Sequence, residues 1–527
     1  LLFILFIFSI NSFSQFSKTH YIPPIGTQGQ GSGTPQIQYM YISTPNENPI
    51  DVIITPIGGD PITVSISNSN PYEYFIGNGN QTNFIALSEN SGQTFNNKGF
   101  IVEGEDLVYV SARLFTSDAY YQAAGLVSKG LAALGKTFRV GTFENLGDDM
   151  SNSFLNFVTV LATEDNTTVN FSDFGNGVTV VNNAPINDVI LNSGESYLIA
   201  IKPGDNIDNS DGLIGVLVES DKPIAVNSGS ITGSNANTTT DSNGQDAGID
   251  QIVPVERIGT EYIFVRGIGP DQIERPLIVA HEPNTEVYVN GTLQYTIAQA
   301  GEHWSVPSSF YGVTYDQYGQ GPDIGVSSNM YVETSKPVFA YQVIGGIRPG
   351  TEGPFGTGTG IPNQGLFFVP PINCQTPSIV NNIAAINKLG PDFAFGGVVT
   401  IVTETGSTVL INGNDISDFA GDVQPVNGNP LFETYTVEGL TGNVSIVSSS
   451  QVYVASFGAY DYATFGGYYS GFAYQPEIVL EEITVGSEGC IPNLELRLNS
   501  ISIFDQYQWY FNGEMIDGAI GNSFTPT

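Results

Sequence analysis

A polar turn between two strand-like runs recurs along this chain at a nearly constant interval. Each copy ends one run, places a Glu in the turn and begins the next run at a Val; the copies are residues 43–52, 162–169, 280–287 and 402–409. These Val residues are separated by 117, 118 and 122 positions and are Val52, Val169, Val287 and Val409. An interval of this length constrains the fold more than any other feature of the sequence.

Two further sets of segments follow the same order. Residues 222–226 (KPIAV) match 336–340 (KPVFA) and 450–454 (SQVYV), while residues 135–138 (GKTF) match 259–262 and 390–393. Three sets in one order predict four diverged repeats of roughly 115–120 residues each.

The residue types are those of an all-β protein. Runs such as 157–162 (FVTVLA) and 196–201 (SYLIAI) are rich in β-branched and aromatic residues and are bounded by Gly, Asn, Asp or Pro. Only residues 120–134 have helical composition, and Gly125 and Gly130 limit the expected helix to a short one.

A repeat of this size with several short strands matches a β-sandwich. We therefore predict an all-β fold of four tandem β-sandwich-like repeats. The repeats could instead pack as a pseudo-symmetric ring or propeller, although the usual propeller blade has only about 40–45 residues. The sequence favours sandwiches and leaves their arrangement open.

The N-terminal residues are typical of a secretory signal peptide. Residues 1–10 are apolar except for Ser9, and small residues followed by Gln15 resemble a cleavage site. We predict a signal peptide at 1–14 and the repeat region at 15–475. Because no Met or basic segment precedes Leu1, we also expect the natural chain to begin further upstream.

The C-terminal residues depart from the repeat. Residues 489–498 alternate as a strand, and Trp509 lies in a run that ends in an Asn-Gly turn. This pattern suits the B and C strands of an immunoglobulin-like sandwich. We predict a partial immunoglobulin-like domain at 476–527 and expect the natural protein to continue beyond it.

Acidic residues dominate the charge. The chain has 52 Asp and Glu against 15 Lys and Arg, a formal charge of −37. Such a charge repels phosphate backbones and anionic lipid heads, so we expect no nucleic-acid partner and no membrane insertion. The two cysteines, Cys374 and Cys490, cannot form a disulfide scaffold, but export would permit them to pair.

One acidic segment is a candidate cation site. Asp205, Asp208 and Asp211 precede Gly212 at short spacing, and carboxylate oxygens suit Ca²⁺. The segment lacks the downstream Glu of an EF-hand, and clusters of this kind are also common in plain turns. A Ca²⁺ site and an ordinary turn both stay open, and a similar cluster at 241–250 is weaker.

An aromatic segment is the candidate ligand surface. Residues 457–474 concentrate Tyr and Phe between glycines, and exposed rings there could stack on a sugar or a protein. The predicted ligand-binding residues are Tyr460, Tyr462, Tyr468 and Tyr469. The alternative is a pair of aromatic strands that packs within the last repeat.

No pattern indicates catalysis. The three histidines, His20, His281 and His303, have no partner at a metal-ligand spacing, and the glycine-rich residues 345–360 lack the Lys-Ser/Thr pair of a phosphate loop. We therefore predict no catalytic residues, no enzyme activity and no cofactor other than Ca²⁺.

Several motifs resemble the IgGFc-binding N-terminal domain family. They are residues 250–259 (DQIVPVERIG) and 222–229 (KPIAVNSG), while residues 16–24, 130–138 and 368–374 resemble the version in flavobacterial exported proteins. There, immunoglobulin-like modules and a C-terminal gliding-motility or type IX secretion domain often follow. The resemblance implies a secreted or cell-surface protein and says little about activity.

The sequence therefore predicts a secreted or cell-surface binding and adhesion protein that recognises a protein or glycan at a cell surface. The alternative is a carbohydrate-binding module of a larger extracellular degradative protein.

Overall fold

The computed structural model describes residues 17–29, 31–116, 122–146, 154–235, 246–269, 271, 273–312, 328–345, 352–353, 356–357, 364–373, 376–391, 393–419, 423–460, 463–472, 477–480, 496–499, 508–511, 514–521 and 523–524. They divide into two compact units, at residues 1–472 and 473–527. The larger unit holds four groups of strands, which we call modules one to four.

Module one contains β1 (Ser17–Ile22), β2 (Ile25–Thr27), β3 (Pro35–Ser43), β4 (Ile50–Pro56), β5 (Ile62–Ile66), β6 (Tyr72–Asn78), β7 (Ile85–Leu87), β8 (Thr94–Phe95), β9 (Phe100–Thr116) and β10 (Gln122–Val127). Module two contains β11 (Gly135–Arg139), β12 (Leu155–Ala162), β13 (Thr167–Ser172), β14 (Val189–Leu191), β15 (Ser196–Ile201), β16 (Leu217–Gly233) and β17 (Asp246–Ile252).

Module three contains β18 (Gly259–Val265), β19 (Leu277–Ala280), β20 (Thr285–Val289), β21 (Thr292–Ile297), β22 (His303–Ser305), β23 (Asn329–Gly345), β24 (Glu352–Gly353), β25 (Gly356–Thr357) and β26 (Gln364–Phe368). Module four contains β27 (Ile379–Ile383), β28 (Lys388–Leu389), β29 (Phe393–Ala394), β30 (Gly396–Glu404), β31 (Val409–Ile411), β32 (Asn414–Asp415), β33 (Gln424–Pro425), β34 (Phe432–Leu440), β35 (Val444–Ser448), β36 (Val452–Tyr460) and β37 (Ala463–Tyr468).

One long strand organises each of the first three modules. Strands β9, β16 and β23 each have 17 residues. The first half pairs with β1 and β4 in module one, and the second half pairs with β3 and β10; modules two and three show the same order of partners. The long strand therefore belongs to two layers, which gives each module a sandwich-like form.

Module four interrupts the long strand. Strand β35 takes the place of its first half and pairs with β27 and β31, whereas β36 takes the place of its second half and pairs with β30 and β37. The Val residue of the recurring turn is buried in each module. Its strand partner lies in the first half of the long strand or, in module four, at the end of β35.

The modules pack as a closed ring. The inner strands β10, β17, β26 and β37 contact one another in the cycle β10–β17–β26–β37–β10. A linear row would leave β10 and β37 at opposite ends. The sandwich-like form of the modules thus agrees with the sequence, and their arrangement matches the ring alternative and not the tandem row.

The helix expected over residues 120–134 is wrong. Residues 122–127 form β10, and the only helical part described is the 3-10 turn Gly130–Ala133. Gly125 lies so close to module four that a Cβ there would be 3.0 Å from the Cβ of Phe465. Packing between strands therefore overrides the local preference for helix.

The smaller unit contains β38 (Glu477–Leu480), β39 (Leu496–Asn499), β40 (Tyr510–Phe511), β41 (Glu514–Met515) and β42 (Ser523–Phe524). Strands β40 and β41 pair as the hairpin expected around the Asn-Gly turn. Its immunoglobulin-like assignment stays a prediction.

Candidate binding face

A chain connection that lies wholly or largely outside the described residues leads into each inner strand. Each joins the end of a long strand, or of β36 in module four, to the start of an inner strand, across residues 117–121, 234–245, 346–363 and 461–462. The starts of the four inner strands lie together, because a single side chain at the first residue of β17 contacts the other three. The end of the ring at which the four inner strands start is the candidate binding face.

Asp246 is that side chain. Its Oδ1 atom accepts hydrogen bonds from the backbone N–H groups of Ala123 in β10 (3.2 Å) and of Ala247 (2.8 Å). Its Oδ2 atom accepts from the N–H groups of Gln364 in β26 and Thr464 in β37, both at 3.1 Å. One carboxyl group thus ties all four modules together at the ring axis.

Asp246 has no contact with solvent. Burial raises its pKa well above the usual range, and the four backbone N–H groups act in the opposite direction. Because the N–H donors occupy both oxygens, the carboxyl group is held in place and serves to fix the strands. It is therefore a structural centre beneath the face and is not positioned to react with a ligand.

A second buried acid lies four residues further along β17. Asp250 pairs with the Lys129 ammonium, with 2.5 Å between Oδ1 and Nζ, and both side chains are at most 1% exposed. Strand residues four apart share a face, so both acids point to the ring interior. Sequence reasoning placed Asp250 in a weak acidic cluster and at the start of the motif 250–259, and it missed this role.

His20 fixes β1 near this pair. Its Nε2 atom lies 3.0 Å from the carbonyl oxygen of Val108 and 3.2 Å from that of Ser17, so Nε2 carries the proton; Nδ1 lies 3.0 Å from Ser128 Oγ. Burial lowers the pKa of His20 to about 4, so the ring is neutral at pH 7. This histidine is structural.

Glu274 fixes the start of the third connection. Its carboxylate accepts N–H groups of Gly267 (3.0 Å), Gly269 (3.1 Å) and Gly345 (2.7 Å), the last residue of β23. Burial raises its pKa to about 7, while the Arg266 charge and these N–H groups lower it. The glycine-rich connection therefore starts from a rigid point.

A polar cluster joins modules two and three. The Arg275 guanidinium donates to Glu144 Oε2 at 2.6 Å and to the carbonyl oxygen of Asn235, also at 2.6 Å. His303 Nε2 lies 3.7 Å from Glu144 Oε1 and 3.8 Å from Asp211 Oδ2. Burial acts to raise the pKa of Glu144, but His303 and Arg275 outweigh it and hold that pKa below its usual value.

Two of the four predicted ligand tyrosines are buried. Tyr468 and Tyr469 are 2% and 3% exposed. The Tyr469 ring lies edge-on to Tyr109 of module one, with 5.8 Å between centroids. These two rings pack inside the protein, as in the alternative interpretation. The Tyr460 side chain and Tyr462 lie outside the described residues.

The predicted Ca²⁺ ligands lie in successive 3-10 turns, at Pro203–Asp205 and Ile207–Asn209, and just beyond them. The Asn206 side chain accepts the N–H group of Asp208 at 3.2 Å, as in an ordinary Asx turn. In the described part of the chain, no three His, Cys, Asp or Glu side chains are grouped to hold a metal ion. The segment has the geometry of an ordinary turn, and this geometry adds no support for a Ca²⁺ site at Asp205, Asp208 and Asp211. Cys374 and Cys490 lie outside the described residues.

Comparison with protein families identifies the family to which this chain is related. The family described as IgGFc binding protein matches residues 124–458, more than half of the chain. The chain belongs to this family. The match extends from β10 to β36, so it covers three inner strands of the ring and both buried aspartates.

No curated protein matches the chain. Among solved structures, a Streptomyces avermitilis α-L-rhamnosidase complexed with L-rhamnose is 11% identical, with a TM-score of 0.09. The alignment covers 90% of this chain and 59% of the rhamnosidase chain. A TM-score this low carries no argument about fold or activity. In the described residues, no helix is long and apolar enough to cross a membrane.

Proposed function

We propose that this chain is a secreted or cell-surface adhesion protein whose ring holds a binding face toward a protein partner. The family membership supports a binding role. The observation that carries the proposal is the Asp246 carboxyl group, which joins the starts of all four inner strands at one end of the ring. A surface built on such a point keeps its shape when it meets a partner, which lowers the entropic cost of binding.

The proposal includes the flavobacterial setting that the sequence resembles. The motifs at 16–24 and 368–374 support export with a gliding-motility or type IX secretion domain in the same protein. Binding to immunoglobulin Fc is not part of the proposal, because no Fc-contacting residues can be matched in this chain. Fc is used only as one ligand in the binding test.

A glycan-binding role is the second candidate, and one observation favours it. Tyr295 of β21 is 44% exposed, and its ring stacks on Trp304 of β22 with 5.2 Å between centroids and 12° between planes. An exposed aromatic ring with a fixed orientation suits stacking on a sugar. This pair belongs to module three and is not part of the predicted segment 457–474.

Binding assays with surface variants separate the two candidates. The purified chain is tested against cells, Fc and a polysaccharide panel, together with Tyr462→Ser at a ligand position predicted from the sequence, Tyr295→Ala on the aromatic pair and Ile190→Ser as an exposed control on β14. Loss of binding to cells with Tyr462→Ser alone supports the adhesion role. Loss of polysaccharide binding with Tyr295→Ala alone supports the glycan role, and equal binding by all variants contradicts both sites.

A further inference from the structure

Lys129 and Asp250 form a buried ion pair, and the groups around them also favour a reaction between the two side chains. Nζ and Oδ1 are 2.5 Å apart, and Nζ also donates to the carbonyl oxygen of Val127 at 2.8 Å. The Phe472 ring centroid lies 5.7 Å from Nζ. With both side chains at most 1% exposed, water has little access to either group.

The carboxyl group is held by two fixed donors. Oδ1 accepts the N–H group of Gln251 at 2.8 Å, and Oδ2 accepts that of Phe368 at 2.9 Å. Backbone N–H groups placed on carboxyl oxygens stabilise the negative charge that develops when a nucleophile attacks the carbon. The site therefore has the donors that a tetrahedral intermediate requires.

Burial also favours the neutral forms of both groups. It lowers the pKa of Lys129 and raises the pKa of Asp250, and the attraction between their charges acts against each shift. A neutral amine is the nucleophilic form of Lys, and a neutral carboxylic acid is the form that can lose water.

We propose that Lys129 and Asp250 form an intramolecular amide cross-link. The Nζ lone pair attacks Cγ of Asp250 and forms the N–C bond. One C–O bond then breaks, and the oxygen leaves as water with the acid proton and one proton from the amine. No oxidant, reductant or co-substrate is required, and both charges of the buried pair disappear.

The cross-link would fasten two modules. Lys129 follows β10 of module one, and Asp250 lies in β17 of module two, 121 residues further along the chain. Two neighbouring inner strands of the ring would then be joined covalently. This suits a surface protein that bears load without a disulfide scaffold.

Intact mass measurement of the denatured full chain tests the proposal. The folded wild-type protein is expected to be about 18 Da lighter than its sequence mass, the loss of one water, and digestion should give one peptide in which Lys129 joins Asp250. Asp250→Asn should instead lose about 17 Da, because ammonia would leave in place of water.

Lys129→Met is the matched control, since it keeps the length of the side chain and removes the amine. It is expected to have the full sequence mass, which separates the cross-link from water loss elsewhere. Wild-type protein with a native circular dichroism spectrum and the full sequence mass would overturn the proposal. So would an equal mass loss in Lys129→Met.

Discussion

The Oδ2 atom of Asp246 accepts a hydrogen bond from the backbone N–H group of Thr464 at 3.1 Å, although 218 residues separate the two in the sequence. The same carboxyl group holds the starts of β10 and β26. A side chain with no surface exposure thus connects the second module to the other three, so the stability of the ring depends on contacts that no single module contains.

Asp246→Asn tests this dependence. The substituted amide has one oxygen, and its NH₂ group would face two backbone N–H donors in place of an acceptor. We expect a loss of about 3 kcal/mol in the free energy of unfolding, since two buried backbone N–H groups lose their acceptor. Urea denaturation measures it, with Asp60→Asn in an exposed turn as the control. Equal stability of the two variants would contradict the bridging role.

Arg113 closes the ring between modules one and four. Its guanidinium donates to the carbonyl oxygens of Ala384 (2.8 Å), Ala385 (2.7 Å) and Lys388 (2.7 Å) and lies 4.0 Å from the Tyr41 ring centroid. Among the basic side chains that the structure describes, five are buried in this way or in ion pairs, and they are Arg113, Lys129, Arg139, Arg266 and Arg275.

Arg113→Lys keeps the charge but removes the planar guanidinium group, so the Lys ammonium cannot reach all three carbonyl groups. We expect a loss of about 2 kcal/mol in the free energy of unfolding and earlier proteolysis at the junction of modules one and four. Lys136→Ala, at an exposed position of β11, should leave both measurements near the wild-type values. An Arg113→Lys protein as stable as the wild type would show that this contact does not hold the ring closed.

The sequence predicted the features that depend on local patterns. Turn residues and alternating apolar positions placed Val52, Val169, Val287 and Val409 in buried strands, because strand period and turn chemistry involve only near neighbours. The all-β class followed for the same reason, as did the hairpin of β40 and β41.

The ring and its axis depend on distant contacts and could not be predicted in the same way. Nothing near Asp246 in the sequence indicates that its partners are Ala123, Gln364 and Thr464. One signal was present, since Asp246 and Asp250 share a strand face in a strand whose other residues are mostly apolar, where a carboxylate requires buried donors. Tyr468 was misleading because exposed and buried aromatic strands have the same composition.

His20 is expected to make the protein sensitive to acid. Its pKa is about 4 in the folded state against 6.5 for a free side chain, so the unfolded chain binds more protons between these pH values. The stabilisation is complete above pH 6.5 and is lost as pH falls toward 4, with a total of about 3 kcal/mol. Between pH 7 and pH 4, urea denaturation of His20→Gln should show a loss of unfolding free energy that is about 3 kcal/mol smaller than the loss in the wild type. Parallel pH profiles would contradict the assignment.

Glu274 is expected to change the free energy of unfolding with pH in the opposite direction to His20. Its pKa is about 7 in the folded state and 4.5 in the free side chain, so the folded protein binds the extra proton between these values. Its contribution is fully present below pH 4.5 and is lost as pH rises through 7, about 3 kcal/mol in all. Glu274→Gln cannot titrate, so the wild type should lose stability relative to this variant as pH rises from 4.5 to 8. Urea denaturation of both proteins at each pH measures the difference. A constant difference would show that the three glycine N–H groups and Arg266 keep Glu274 ionised despite its burial.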